Sequence, residues 1–194
     1  MKLLVSRILS DVFNPLVNAV VAFLVIIATD SNAQGASKVL AAVVSVVFAA
    51  ALPLSALLVM KQRGLITNVN IDRREQRTRP FILGILCYAV GFFFLKLFHA
   101  PRLAQGLMFC YAVNTAVILA ITRYWKISVH ATGISGPLMA LYYQLGSVVL
   151  PYFSLIPLVC ASRVVMRKHT VGQVVAGTAL GLTATAAQIN LLFR

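Results

Sequence analysis

Acidic side chains are nearly missing from this sequence of 194 residues: Asp11, Asp30, Asp72 and Glu75 are all there are, against 17 Lys and Arg, and none follows Glu75. An acid/base pair of carboxylates needs two acids in one place, and a magnesium site is normally built through one or two carboxylates. Chemistry of either kind is therefore not expected, and neither a metal nor a cofactor is called for. Cysteine is as scarce. Cys87, Cys110 and Cys160 stand alone in apolar stretches with no CxxC spacing, which favours neither a disulfide framework nor a zinc site. Charge in general is low, at 11% of residues where soluble domains carry about 25%. With 60% hydrophobic residues, the chain cannot clothe a water-soluble globule and reads as an integral membrane protein.

A helix needs about 20 mostly apolar residues to cross the hydrocarbon core. Stretches of that kind fall near 12–29, 39–60, 80–98, 104–122, 131–150, 152–166 and 172–193. Backbone groups inside lipid must be satisfied within the segment, so these lengths predict helices rather than strands. The expectation is all-α: a polytopic transmembrane bundle of six to seven membrane helices in a single membrane domain, 1–194. The sixth stretch is short and carries Pro157, which predicts a tilted, broken or re-entrant segment. Gly177 and Gly181, one turn apart, predict close helix packing. Lys2 and Arg7 before the first apolar run also resemble the start of a signal peptide, but the run is longer than a usual signal core.

Seven crossings gather Lys2, Arg7, Lys61, Arg63, Arg73, Arg74, Arg77, Arg79, Arg123, Lys126, Arg163, Arg167 and Lys168 on one side, thirteen of the 17 basic residues. The positive-inside rule makes that side cytoplasmic, and the expected setting is the plasma membrane of a prokaryote. A net charge of +13 invites a nucleic-acid reading, but the charge sits at helix ends without a soluble basic domain. Its expected partners are membrane lipids and a phosphate-bearing substrate, not nucleic acid.

Three polar stretches lie on that same side: Asp72 to Pro80 (DRREQRTRP), Lys126 to His130 (KISVH), and Ser162 to Gln173 (SRVVMRKHTVGQ). Together they carry two of the three histidines and eight of the thirteen basic residues on that side, a composition suited to phosphate. Phosphoryl transfer needs stabilised oxygens, a placed nucleophile and a proton for the leaving group. Arginine gives bidentate donors, and two histidines can divide the other tasks.

The last stretch resembles Ser-Arg-x5-His-x3-Asp, the third signature of the superfamily of type-2 phosphatidic acid phosphatases and vanadium haloperoxidases. Ser162, Arg163 and His169 match, with Gln173 at the Asp position. The middle stretch is similar to the family's Pro-Ser-Gly-His through Ser128 and His130. The first resembles Lys-x6-Arg-Pro through Arg79 and Pro80, with Asp72 where Lys is expected. The resemblance covers a phosphatase-like core of about 60–190. It implies a metal-independent phosphatase or phosphotransferase acting on a lipid phosphate or an isoprenyl phosphate or diphosphate through a phosphohistidine. His169 would be the nucleophile, His130 the acid, and Gln173 the partner of His169. Arg79, Arg163 and Ser128 would be phosphate ligands, with Lys126, Arg73 and Arg74 as auxiliary contacts.

Two alternatives stand beside that reading. Gln173 brings no charge to the histidine, which suits a weak or inactive family member that binds or moves an anionic lipid. Asn68 to Pro80 also resembles the first signature of UbiA-type prenyltransferases, although a second acidic signature is absent from the sequence. On one unbroken helix Arg163 and His169 would point about 120° apart. A break near Arg167 and Lys168, helped by Gly172, is therefore expected, with the last helix starting near Lys168. His99, on the opposite side, reads as an interfacial residue, and Trp125 as part of the aromatic belt.

Overall fold

The computed structural model describes residues 2–193, and its elements among these residues are all helical. Helix α1 (Lys2–Val12) and α2 (Pro15–Thr29) are bent by 44° at the short break between them. Asn14 makes the break: it is extended, accepts the Leu16 N–H at 2.9 Å, and precedes a proline that disfavours helical geometry in the residue before it. Helix α3 (Gly35–Val46) passes through a π turn, Val47–Ala51, into α4 (Leu52–Gln62), one continuous stretch of 28 residues. The widened turn lies just before Pro53, which has no N–H to give and whose ring crowds the preceding turn. Helices α5 (Thr78–Leu97), α6 (Arg102–Thr122) and α7 (Val129–Leu145) follow, then a 3-10 segment, Gly146–Ser154, then α8 (Leu155–Val165) and α9 (Val171–Leu192).

Residues 35–62, 78–97, 102–122, 129–165 and 171–192 are each long and apolar enough to cross a membrane, and the α1–α2 pair forms a sixth if taken as one span. Within 129–165 the chain reverses. Gly146, at φ +68, ends α7, and the following segment returns along it. Ile134, Leu138, Val149, Ile156 and Val159 share one buried cluster, and Phe153 meets Tyr142 edge-on at 6.4 Å. The protein is thus an all-α polytopic bundle consistent with six to seven membrane helices. The expected boundaries shift at two places: the span drawn as 131–150 ends at Leu145, and its successor becomes α-helical only at Leu155.

Small residues set the closest approach, between α7 and α9. A Cβ on Gly177 would lie 2.5 Å from the Ser128 carbonyl, and one on Gly181 would collide with Ser135 Oγ. The Thr132 hydroxyl donates to the Gly177 carbonyl at 2.9 Å across the same contact. Ser6, Ser10, Ser45, Ser135 and Thr185 are buried while Leu86, Phe93, Val148, Leu158 and Val175 face outward. Such an interior of small residues under an apolar exterior is the packing of a helix bundle whose solvent is lipid. The ends of α4, α6 and α8 and the starts of α5, α7 and α9 meet at one end of the bundle. Asp30, exposed His99 and Arg102 line a cavity of about 540 Å³ at the other.

Candidate functional site

The site end is assembled first by the way α8 stops. Arg167 takes φ +54, its N–H reaches the Val164 carbonyl at 2.9 Å, and the Lys168 N–H reaches the Arg163 carbonyl at 3.0 Å. These are the two bonds of a Schellman stop. The His169 N–H joins the same Arg163 carbonyl at 3.3 Å, so the turn holds Arg163 and His169 together. The break falls at Arg167. Gly172 takes no part in it and lies inside α9, which starts at Val171 rather than near Lys168.

Thr170 then caps α9 in a capping box with Gln173. Gln173 Oε1 accepts the Thr170 N–H at 3.3 Å and lies 2.9 Å from His169 Nδ1. Only the amide oxygen can accept a backbone N–H, so that oxygen also faces the ring. The hydrogen-bond network therefore assigns the His169 proton to Nδ1 and a lone pair to Nε2. Burial, then the Lys126 ammonium, and more weakly Arg77 and Arg163, push the His169 imidazole down to about 3 against the opposing bond to Gln173. At neutral pH the ring is an uncharged base.

Ser128 caps α7 by accepting the Ala131 N–H at 3.3 Å, and its own N–H donates to the Gln173 carbonyl at 3.2 Å, which ties the starts of α7 and α9. His130 follows in the first turn, 4% exposed, with Nε2 buried and without a hydrogen-bond partner. It lies within electrostatic reach of His169, Arg163, Arg77 and Asp72. Arg163, 2% exposed, donates from Nη1 to Ser10 Oγ at 2.7 Å and leaves Nε unpaired. Lys126 Nζ donates to the Lys168 carbonyl at 2.7 Å, and burial, with Arg77 next, pushes its ammonium below the usual lysine value.

Arg79 does not join this group. It is exposed, and Arg77, 2% exposed, takes the inward place. Arg77 Nε donates to the Ile71 carbonyl at 3.0 Å and Nη1 to the Ile127 carbonyl at 2.9 Å, bridging two loops. Burial and Arg163 bring its guanidinium down to about 10, still charged at neutral pH. Arg73 is exposed, and Arg74 turns to the Tyr124 carbonyl at 2.8 Å and toward Glu75, so neither reaches the cluster. Arg77 was legible from α5 itself: Arg77, Phe81, Gly84, Tyr88, Gly91 and Leu95 form its buried face, while Arg79, Ile82, Leu86 and Phe93 lie outside.

Asp72 is the second residue whose position the spacing did not reveal. It accepts from Lys168 Nζ at 2.7 Å and lies 3.8 Å from Arg163 Nη2. Burial works to raise its carboxyl, but the Lys168 bond and the charges of Lys168, Arg163 and Lys126 outweigh it and hold it below the usual carboxylate range. With both oxygens facing cations, Asp72 is not presented as the magnesium ligand that a prenyltransferase reading needs. No three His, Cys, Asp or Glu side chains are placed to hold a metal ion among the described residues.

A groove of about 410 Å³ opens on this cluster through Arg77 and His130 and runs between α2, α4 and α5, along Leu16, Leu54, Leu57, Phe81, Gly84 and Tyr88. His169 does not line it. The two imidazoles thus belong to one charged group but meet different surroundings: His130 faces the apolar groove, and His169 faces Gln173.

No family model, characterised protein or solved structure matches the chain.

Proposed function

We propose that this protein is a metal-independent membrane phosphatase or phosphotransferase acting on a lipid phosphate or an isoprenyl phosphate or diphosphate. The observation that carries the reading is His169, neutral and oriented by Gln173 with a free Nε2, set among Arg77, Lys126 and Arg163. Nε2 would attack phosphorus while the bond to the leaving oxygen breaks, and His130 would give that oxygen its proton. Water would then cleave the phosphohistidine, passing a proton to His130 and releasing phosphate. Arg77, Lys126 and Arg163 would hold the equatorial oxygens, as preorganised donors do at developing charge. A cationic cluster of this kind favours an anionic head group over a divalent metal.

The groove suits the substrate's tail. It is apolar, starts at His130 and Arg77, and runs inward from the bundle end, so a head group at the interface and a chain in the bilayer fit one molecule. The superfamily resemblance supports the same reading through Ser128, His130, Ser162, Arg163 and His169. The basic side of the bundle supports a site that faces the cytoplasm, and the setting that goes with this reading is the plasma membrane of a prokaryote.

Purified protein should release inorganic phosphate from such lipids in the presence of a chelator. His169→Ala should reduce release to background, and Arg77→Gln should cost about 10²–10³-fold, while Arg79→Gln should leave it within a factor of two or so. A requirement for magnesium, or loss at Arg79 rather than Arg77, would overturn the reading. The uncharged Gln173 favours one alternative, a site that binds or moves an anionic lipid without turnover. Equal lipid binding by wild type and His169→Ala, with no phosphate from either, selects it.

A further inference from the structure

We propose that Asp72 is a resident counter-anion: it holds the cations that a substrate phosphate must take over, and so sets how tightly the site grips an anion. This rests on the phosphate-site reading above. Asp72 contacts Lys168 at 2.7 Å and Arg163 at 3.8 Å, and Lys126 acts on it from nearby. These are a phosphate's natural partners, and a carboxylate on them already satisfies part of their charge. Asp11 and Glu75 do not replace it. They act on Arg163 and Arg77 only across a distance.

The loop around Asp72 is built to present it. Ile71, a β-branched residue, takes φ +46, a backbone region such residues rarely enter. Its carbonyl receives Arg77 Nε at 3.0 Å. Asn68 closes the other side, with Nδ2 donating to Asp72 Oδ2 at 3.2 Å and Oδ1 accepting the Asp72 N–H at 3.4 Å. An uncommon backbone held by a buried arginine marks a position that surrounding structure over-determines. The carboxylate is nonetheless partly open to solvent, at 23% of its side chain, and Lys168 is more open still. Asp72 can therefore swing away without unpacking the core.

A counter-anion and a structural brace predict opposite responses. If Asp72 competes with phosphate, removing its charge tightens binding; if it only positions Arg163 and Lys168, removing it weakens binding. The probe is inorganic phosphate, titrated calorimetrically onto the purified full-length protein in detergent. The dissociation constant should fall about tenfold in Asp72→Asn, which keeps an acceptor for Lys168, and similarly in Asp72→Ala. An unchanged or larger constant in variants that keep wild-type helicity would overturn the proposal while leaving the phosphate site standing. Absence of binding in every form would overturn both.

A second measurement uses the wild type alone and does not depend on any variant folding. Carbodiimide labelling of carboxyl groups, read by mass spectrometry, should rise at Asp72 when phosphate is added, because the carboxylate is released from Lys168. Labelling that stays level or falls refutes displacement. Asp30, at the far end of the bundle, is the internal control.

Discussion

Gln173→Glu tests the arrangement of His169 most directly, because the side chain keeps its shape and its two bonds and gains a charge. The ring nitrogen lies 2.9 Å from Gln173 Oε1, so the new charge centre would sit roughly 4 Å from the imidazole. At an effective dielectric of about 20, a pair at that separation interacts by about 4 kcal/mol. Residue 173 is partly exposed, so solvent screening leaves about a third to a half of that. The result is a rise of about tenfold to thirtyfold in the proton affinity of His169, against a wild-type ring at about 3. The chain has only three histidines, so long-range proton–nitrogen spectra of labelled protein can follow each ring. The wild type should show His169 protonated at Nδ1 and not titrating down to pH 4, and the variant should titrate measurably higher. Gln173→Leu removes the acceptor and one half of the capping box, and should free the ring to exchange tautomers at a cost of about 1 kcal/mol in helix stability. A wild-type His169 carrying its proton on Nε2, or titrating near 6.5, would refute the reasoning outright.

Two further outcomes follow from the same geometry. Because His169 binds its proton more weakly in the fold than in the unfolded chain, its contribution is fully present above about 6.5 and is lost as pH falls toward 3. Across that window the thermal midpoint in detergent should drop, with a slope of about 1.4 kcal/mol per pH unit from this ring. Asp72, held low by its cations, adds a loss in the same direction below about pH 4, and a flat profile from pH 7 to 4 would contradict the assignment of His169. In α9, Gly181→Ala would strike Ser135 Oγ and lie 2.9 Å from the Thr132 carbonyl, which should cost about 2–3 kcal/mol. Gly172→Ala meets nothing nearer than Trp125 at 3.8 Å and should be neutral or stabilising by up to about 1 kcal/mol. Unfolding of the two variants side by side checks the contrast.

The helical spans were legible because hydropathy alone decides between lipid and water over about 20 residues. The reversal inside 129–165 was only partly so: Pro157 drew attention to the sixth stretch, whereas Gly146 at positive φ is what turns the chain. For the site, spacing brought His169, Arg163 and Gln173 into one turn, and placed Ser128 and His130 beside them. It failed at Arg79. The stretch DRREQRTRP offers four arginines within seven positions, and a polar loop has no periodicity to rank them. The face of α5 would have ranked them, since glycines and Tyr88 mark the packed side of a membrane helix better than apolar residues, which occupy both sides. Asp72 was missed for another reason: its partners Lys168 and Arg163 lie about 90 residues away in the chain, and no local pattern reports an ion pair of that separation.

Taken together, Asp72 and Gln173 explain each other on the proposed reading. A carboxylate at position 173 would stabilise a charged imidazole, but it would also raise the proton affinity of His169 and face Lys126 and Arg163 as a second competing anion. A neutral amide avoids both effects. It fixes the tautomer through one oxygen shared with the Thr170 N–H and leaves the ring an uncharged nucleophile at neutral pH. The negative charge the cations need when no substrate is bound then comes from Asp72, on a loop where it can be displaced, instead of from the residue that orients the histidine. If so, Gln173→Asp should not act alone. Paired with Asp72→Asn, which removes the first anion, it should recover more turnover than the product of the two single changes, and strict additivity between them would show that the two positions do not share one pool of cations.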